Sequence, residues 1–284
     1  MEIIRKGVAD MTIKEMINLK KEMGLSYQDI ADMSGVPLGT VQKVFTGVTT
    51  SPRRSTIEAL TGMFEKEKKR TGYEYFRHMD FDMVEESAFY GSTAVKIDSY
   101  ENKTLEDYLA LPEGTRIELI DGTFYDMAAP TFIHQRIGAL LYYAFETFVN
   151  ANGGPCIPSV APTDVQLDSD DKTMVQPDVL VVCDRNKIIK ARVVGAPDLI
   201  VEVLSEGNWF HDTVRKLAKY RNAGVREYWI VVPEEKKVLV YIFAESPDAV
   251  TYSFDDKVPV GIWDGKCIVD FHDIYEKISF LMEG

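Results

Sequence analysis

The sequence is poor in several things. It has three cysteines in 284 residues, Cys156, Cys183 and Cys267, with no CxxC spacing. Neither a disulfide framework nor a cysteine-rich zinc site is expected from them. The four histidines (His78, His134, His211, His272) are scattered and form no HExxH. No apolar run approaches the roughly 18–20 residues that a membrane helix needs. The start, MEIIRKGVADM, lacks the apolar segment of a signal peptide, so the chain is expected in the cytoplasm, away from membranes. There is no internal repeat and no low-complexity tract.

What is present is ordinary for a soluble globular protein: 45% hydrophobic and 27% charged residues. The length favours two domains or one large one. The net charge of −13 excludes a uniformly basic surface. It is unevenly spread. Residues 1–70 carry 12 Lys and Arg against 9 Asp and Glu, net +3, which leaves 20 and 36, net −16, for the rest. A mildly basic head on an acidic body is a domain signal. Acidity does not exclude DNA from the body, because clustered carboxylates recruit cations. The expected division is a head over 1–70, a linker over 71–100 and a body over 101–284.

The head reads as helices. Thr12-x-x-Glu15 and Ser55-x-x-Glu58 are capping-box patterns, and Ser26-x-x-Asp29 is a weaker one. Ile13, Met16 and Ile17 share a face of the first helix. Gly35 marks a sharp turn, and Pro37 stands where a first helical turn tolerates it. Val41 and Val44 give the next helix its buried side, and Ile57, Leu60 and Met63 serve a later one. The linker carries acidic residues and aromatics (Tyr73, Tyr75, Phe76, Phe81) without periodicity.

The body alternates. A short helix is predicted over 104–110, then strands over 116–119 and 123–127 around Asp121-Gly122, a hairpin dipeptide. A long helix follows over 132–150. Strand-like runs cover 164–167, 179–183 and 199–204. A second helix spans 210–223, and strands follow over 227–232, 238–243 and 249–254. The pattern predicts a mixed α/β layer fold.

Three carboxylates stand on or beside these strands: Glu118, Asp178 before Val-Leu-Val-Val, and Glu202 inside Leu-Ile-Val-Glu-Val-Leu. A carboxylate flanked by Ile200, Val201, Val203 and Leu204 is costly unless it meets a cation or a partner. A structural ion pair would serve as well as a metal. Mg²⁺ takes oxygen ligands, usually one or two carboxylates with waters and phosphate oxygens. On the following helix Asp212, Lys216 and Tyr220 lie at i, i+4 and i+8, on one stripe. Lys216 flanks the apolar stripe of Phe210, Val214 and Leu217, so it can reach toward the sheet. The alternative is an exposed lysine paired with Asp212, which is worth little.

Two resemblances emerge. Residues 25–47, LSYQDIADMSGVPLGTVQKVFTG, resemble the Cro/lambda-repressor type of helix-turn-helix, through Ile30-Ala31, Gly35-Val36, Thr40-Val41 and Gly47. By that likeness Leu38, Gly39, Gln42 and Lys43 face the bases, while Arg53 and Arg54 meet phosphates. A small helical protein-interaction module is the other reading of the head.

The body resembles the PD-(D/E)XK restriction-endonuclease-like superfamily, and more closely the Uma-type family within it. The likeness rests on Glu118-Leu-Ile-Asp-Gly122, His134 at the head of the long helix, Pro177-Asp178-Val179, Leu199 through Ser205, Asp212-x-x-x-Lys216-x-x-x-Tyr220 and Gly224 through Val231. It implies a restriction-endonuclease-like sheet flanked by helices, with metal-assisted phosphodiester hydrolysis. Asp178, Glu202 and the carbonyl of Val203 would hold Mg²⁺ (or Mn²⁺). Glu118 would hold a second ion or orient the first. The simple superfamily motif puts lysine two residues after the glutamate, where this chain has Leu204. The family likeness implies that the role has moved to Lys216, oriented by Asp212 and Tyr220. His134 would contact phosphate or cap its helix.

The whole then reads as a DNA endonuclease delivered by its head. Two other readings stay open: a transcriptional regulator whose nuclease-like body is inactive and serves dimerisation or sensing, and a body that only binds proteins. Two-fold DNA sites make a homodimer the expected assembly.

Overall fold

The computed structural model describes residues 11–23, 25–49, 51–70, 99–168, 171–204, 209–246 and 248–282, the side chains of 21, 22, 69, 70 and 209–214 excepted. The expected linker with its aromatics lies almost wholly outside these residues. The chain divides into two compact units: Met1–Asp80 with Phe210–Lys219, and Phe81–Trp209 with Tyr220–Gly284.

The first unit holds α1 (Ile13–Glu22), α2 (Tyr27–Ser34), α3 (Leu38–Phe45) and α4 (Arg54–Arg70). The first two begin at the boxes the sequence announces. The Thr12 N–H donates to Glu15 Oε2 at 2.7 Å, and the Glu15 N–H to Thr12 Oγ1 at 3.2 Å. Ser26 and Asp29 make the same reciprocal pair. Gly35 ends α2 at φ +70°, a left-handed conformation that a Cβ would strain. The third box does not cap. Arg54 already opens α4, so Ser55 sits inside the first turn, and Glu58 accepts from Arg54 Nε at 2.9 Å instead. On α1 the inward residues are Met16 and Leu19, while Ile17 is exposed. Phe45 joins α3 to α4 through Phe64, their rings 6.3 Å apart.

The second unit is built on two main sheets, and the expected mixed α/β fold is the one found. Strands β1 (Ile117–Ile120), β2 (Thr123–Asp126), β4 (Val165–Gln166), β5 (Met174–Val175) and β7 (Val193–Val194) form one, in the order β2-β1-β5-β4-β7. The β1–β2 hairpin closes on Asp121 and Gly122 at φ +50° and +75°, the geometry that favours Asp-Gly. Strands β3 (Ile157–Val160), β6 (Val179–Val182), β8 (Leu199–Val203), β9 (Glu227–Val232), β10 (Lys237–Ile242) and β11 (Val250–Ser253) form the other, in the order β11-β10-β9-β8-β6-β3. Here β8 and β9 run parallel and the other neighbours antiparallel. A short pair, β12 (Lys257–Pro259) and β13 (Ile268–Asp270), closes the C-terminal part.

Among the described residues after 99, the α-helices are α5 (Leu105–Leu109), α6 (Phe132–Asn152), α7 (Trp209–Ala223), whose residues Phe210–Lys219 belong to the first unit, and α8 (Phe271–Glu276). Helix α6 lays Ile137, Leu141 and Phe145 on one face of the six-stranded sheet, against Val179, Val181, Leu199, Val201 and Trp229. Because side chains alternate along a strand, Ile200 and Glu202 belong to the opposite face. Trp229 and Tyr228 are both buried.

Two connections fasten this sheet. Glu227, fully buried, accepts from Trp229 Nε1 (2.7 Å), the Gly261 N–H (3.0 Å) and the Ile262 N–H (2.7 Å). Burial pushes its carboxyl above the ordinary range, against the pull of those donors. A Cβ at position 261 would lie 2.8 Å from Ile242 Cδ1 and 3.2 Å from Glu227 Oε2, so these side-chain ends would have to shift to admit it. The second connection corrects the sequence reading. Cys156 and Cys183 form a disulfide. They flank the register pair Ile157↔Val182, so antiparallel pairing of β3 with β6 brings them face to face. Cys267 is the buried thiol, held high, at about 11, by burial and by the charge of Glu227.

Gly261→Ala is expected to destabilise the fold by about 1–3 kcal/mol through overpacking, read as a lower urea midpoint at unchanged slope. Reduction of the intact protein, or Cys156→Ser, should remove about 2–4 kcal/mol, and the two should not add.

Candidate active site

The site is built where β6 and β8 begin and end. The register Val179↔Val201 and Leu180↔Ile200, carried one residue further, sets Asp178 opposite Glu202. Opposed residues of an antiparallel pair share a face. Asp178 Oδ2 accepts the Val203 N–H at 2.7 Å, which adds a side-chain rung to the ladder. The same oxygen lies 3.1 Å from His134 Nε2. Both contacts fall on Oδ2. On its buried side, Glu202 Oε1 accepts the Tyr220 hydroxyl at 2.6 Å. The Tyr220 ring stands 5.0 Å from that of Tyr228, edge on, so β9 fixes the tyrosine that orients the glutamate.

His134 stands in the first turn of α6. Its backbone N–H donates to Thr131 Oγ1, which caps the helix. The cap is therefore Thr131, and the imidazole is left for Asp178. Its Nδ1 is buried and meets no partner among the described residues.

Glu118 joins through the backbone. It lies on β1, buried, and its Oε1 accepts the Gln176 N–H at 2.8 Å, two residues before Asp178. Gln176 is the residue that sequence reasoning missed. Its Nε2 donates to Asp164 Oδ1 (2.7 Å) and to the Tyr108 hydroxyl (3.1 Å), while Tyr108 also donates to Asp164. The charge of Asp164 adds to burial in pushing the Tyr108 phenol well above its ordinary value. The one available signal was the position of Gln176 directly before Pro177-Asp178.

Lys216 is buried, one helical turn before Tyr220 on α7. It falls in the segment that belongs to the first unit. The side chain of Asp212 lies outside the described residues. In the head, Gly39, Gln42 and Lys43 are exposed on α3 and Leu38 is half-buried, while Arg53 and Arg54 are exposed at the start of α4.

The donors at β6 and β8 are hard oxygens, of the type that Mg²⁺ and Mn²⁺ take. Among the described residues no three His, Cys, Asp or Glu side chains converge on a common point. A pair is sufficient for Mg²⁺, which keeps waters and takes phosphate oxygens for the remaining positions. In chemistry the opposed carboxylates fit that cation.

Residues 105–257, more than half of the chain, match the model of the Uma2 family, described as "Putative restriction endonuclease". The chain belongs to the Uma2 family. No curated protein matches it. Among solved structures, "a putative nuclease belonging to DUF820" from Anabaena variabilis ATCC 29413 aligns with a TM-score of 0.51 at 19% identity, over 61% of this chain and 97% of that one. At that identity the likeness concerns the fold, a restriction-endonuclease-like sheet. No described helix is long and apolar enough to cross a membrane.

Tyr220→Phe leaves Glu202 with one donor fewer in a buried place. The expected cost is about 1–3 kcal/mol of stability, measured by urea unfolding, with the far-ultraviolet circular dichroism unchanged.

Proposed function

We propose that this Uma2 protein is a metal-dependent DNA endonuclease, brought to its target by the helix-turn-helix of its head. The observation that carries the reading is the opposition of Asp178 and Glu202 across β6 and β8, each oriented by a donor on one carboxylate oxygen.

Asp178, Glu202 and the Val203 carbonyl would hold Mg²⁺ or Mn²⁺, with Glu118 steadying the segment that carries Asp178 or holding a second ion. When bound, such a metal supplies Lewis acidity and a more acidic water. The protein's own part is to place and discharge. His134 and the Val203 N–H fix Asp178 by Oδ2. Tyr220 fixes Glu202. Lys216 would position or deprotonate the attacking water and steady the negative charge that gathers on the phosphate. Asp212, one turn earlier on the stripe, and Tyr220, one turn later, orient that lysine.

In the head, Leu38, Gly39, Gln42 and Lys43 of α3 would enter the major groove, with Gln42 suited to adenine and Lys43 to guanine. Arg53 and Arg54 would meet phosphates. The Arg54–Glu58 pair is exposed, so exchanging it for a phosphate costs little. The head's net charge of only +3 is a small electrostatic hold on DNA, and a homodimer on a two-fold site doubles it. DNA as substrate puts the work in the cytoplasm.

The deciding measurement is cleavage of supercoiled plasmid by the full chain with Mg²⁺ or Mn²⁺. Asp178→Asn keeps an acceptor for the Val203 N–H, and should nonetheless slow nicking by at least about 100-fold. Lys216→Ala should do the same. Nicking that survives Lys216→Ala alone would sink the lysine's role and keep the nuclease. If no metal supports nicking of duplex, single-stranded or branched DNA while the head still binds DNA, the inactive-body regulator is the correct reading.

A further inference from the structure

Beside the acids, on the same side of the six-stranded sheet, lies an open cleft of about 410 Å³. Its floor is Leu180 and Val182 of β6 with Ile157 and Ser159 of β3. The registers Leu180↔Ile200 and Ser159↔Leu180 put these side chains on the face that carries Glu202. Asp178, two residues before Leu180, lies on the same face of β6 as this floor, although it does not itself line the cleft. Gln176 lines it, and the Gln176 N–H is bonded to Glu118.

The lining has two characters. The sheet side and Ile188 and Ile189 opposite it are apolar, and both isoleucines are more than a third exposed. A polar group sits at one end, already ordered: Asp164 is held by Gln176 and Tyr108, and the Ser159 and Thr163 hydroxyls are bonded to each other at 2.9 Å. At the rim stand Lys190 and Arg192. Arg192 Nε donates to Gln166 Oε1 at 3.1 Å, which fixes the guanidinium of this lining residue. Two adjacent cations are notable where the chain outside residues 1–70 carries net −16.

An apolar slot with hydrogen-bonding groups at its end and cations at its mouth matches one kind of ligand: a flat heteroaromatic ring bearing a phosphate. We propose that this cleft is a nucleotide subsite, which takes one base of a DNA strand between the β6–β3 floor and Ile188–Ile189, with the adjoining phosphate on Lys190 and Arg192. It rests on the nuclease reading for its purpose, since it would anchor the strand beside Asp178. Its chemistry is independent of turnover. Stacking and apolar contact on a base are worth roughly 1–3 kcal/mol, enough to set which phosphodiester meets the acids.

The test is binding to the full chain in metal-free buffer with chelator, by calorimetry, using deoxycytidine 5′-monophosphate, a 12-nucleotide single strand and inorganic phosphate as probes. Ala191 lines the cleft and is exposed, so Ala191→Trp fills the slot without entering a core. The expected result is that Ala191→Trp weakens both the mononucleotide and the strand at least tenfold and leaves phosphate unchanged. Arg192→Gln, the second variant, weakens all three. The strand should bind at least tenfold more tightly than the mononucleotide. Equal affinity in Ala191→Trp, no binding of either nucleotide by the intact chain, or a mononucleotide that binds where the strand does not would each overturn the proposal. Plasmid nicking in parallel separates the two readings. Nicking and strand binding both indifferent to Ala191→Trp remove the subsite and keep the nuclease. Absent nicking with cleft-dependent nucleotide binding keeps the subsite and removes the nuclease.

Discussion

The second unit turns on the pairing of β6 with β8. Each strand is entered through Pro-Asp: Pro177-Asp178 before β6, and Pro197-Asp198 before β8. Each aspartate reaches across to the far end of its neighbour. Asp178 takes the Val203 N–H and Asp198 takes the Cys183 N–H, both at 2.7 Å. A short central ladder is thus closed at both ends by side chains in place of backbone. Proline suits these positions, having no N–H to leave unpaired and favouring an extended residue before it.

The two ends then diverge. Asp198 ends against Arg226, 3.2 Å away and largely exposed, and its own backbone carbonyl accepts from Arg226 and Glu227 at the start of β9. It is a joint between β8 and β9. Asp178 instead meets an imidazole, lies opposite a second carboxylate and adjoins the cleft. One structural device is used twice, and the copy at Asp178 lies beside a histidine and a second carboxylate. Glu202 makes the contrast sharper. It occupies a strand position whose neighbours are aliphatic, where a leucine would be more stable, and needs a tyrosine from α7 to be tolerated.

Much of this could be read from the residues in order. Strands with strong apolar runs, the Asp-Gly hairpin and the amphipathic helices follow from local periodicity, and the structure bears them out to within a residue or two. What was illegible depends on register between distant segments. The two-residue strands β5 and β7 hold too little sequence for a period to be seen, whereas β4 falls within the run expected over 164–167. Ile157–Val160 hides its strand behind a proline. The Cys156–Cys183 bridge exists because β3 pairs with β6 in one register, and spacing alone does not reveal that. Ser55-x-x-Glu58 has the letters of a cap, yet the helix begins one residue earlier and Glu58 pairs with Arg54. At the site the three acids were visible as oddities in apolar runs, but Gln176, which ties Glu118 to the Asp178 segment, carries no such mark.

The absence of lysine two residues after Glu202 also has a local reason. Leu204 is buried, and its N–H donates to the Val231 carbonyl at 2.8 Å, which extends the β8–β9 ladder past the end of β8. Alternation sets it on the side of Glu202. In the function proposed above, the cation must come from the next element of the chain. That element is α7, the crossover between the parallel strands β8 and β9. It supplies Tyr220 to Glu202 already, and a residue one turn earlier shares the stripe of Tyr220. The position one turn earlier is Lys216. In that proposed function, the helix that orients the glutamate would also carry the lysine.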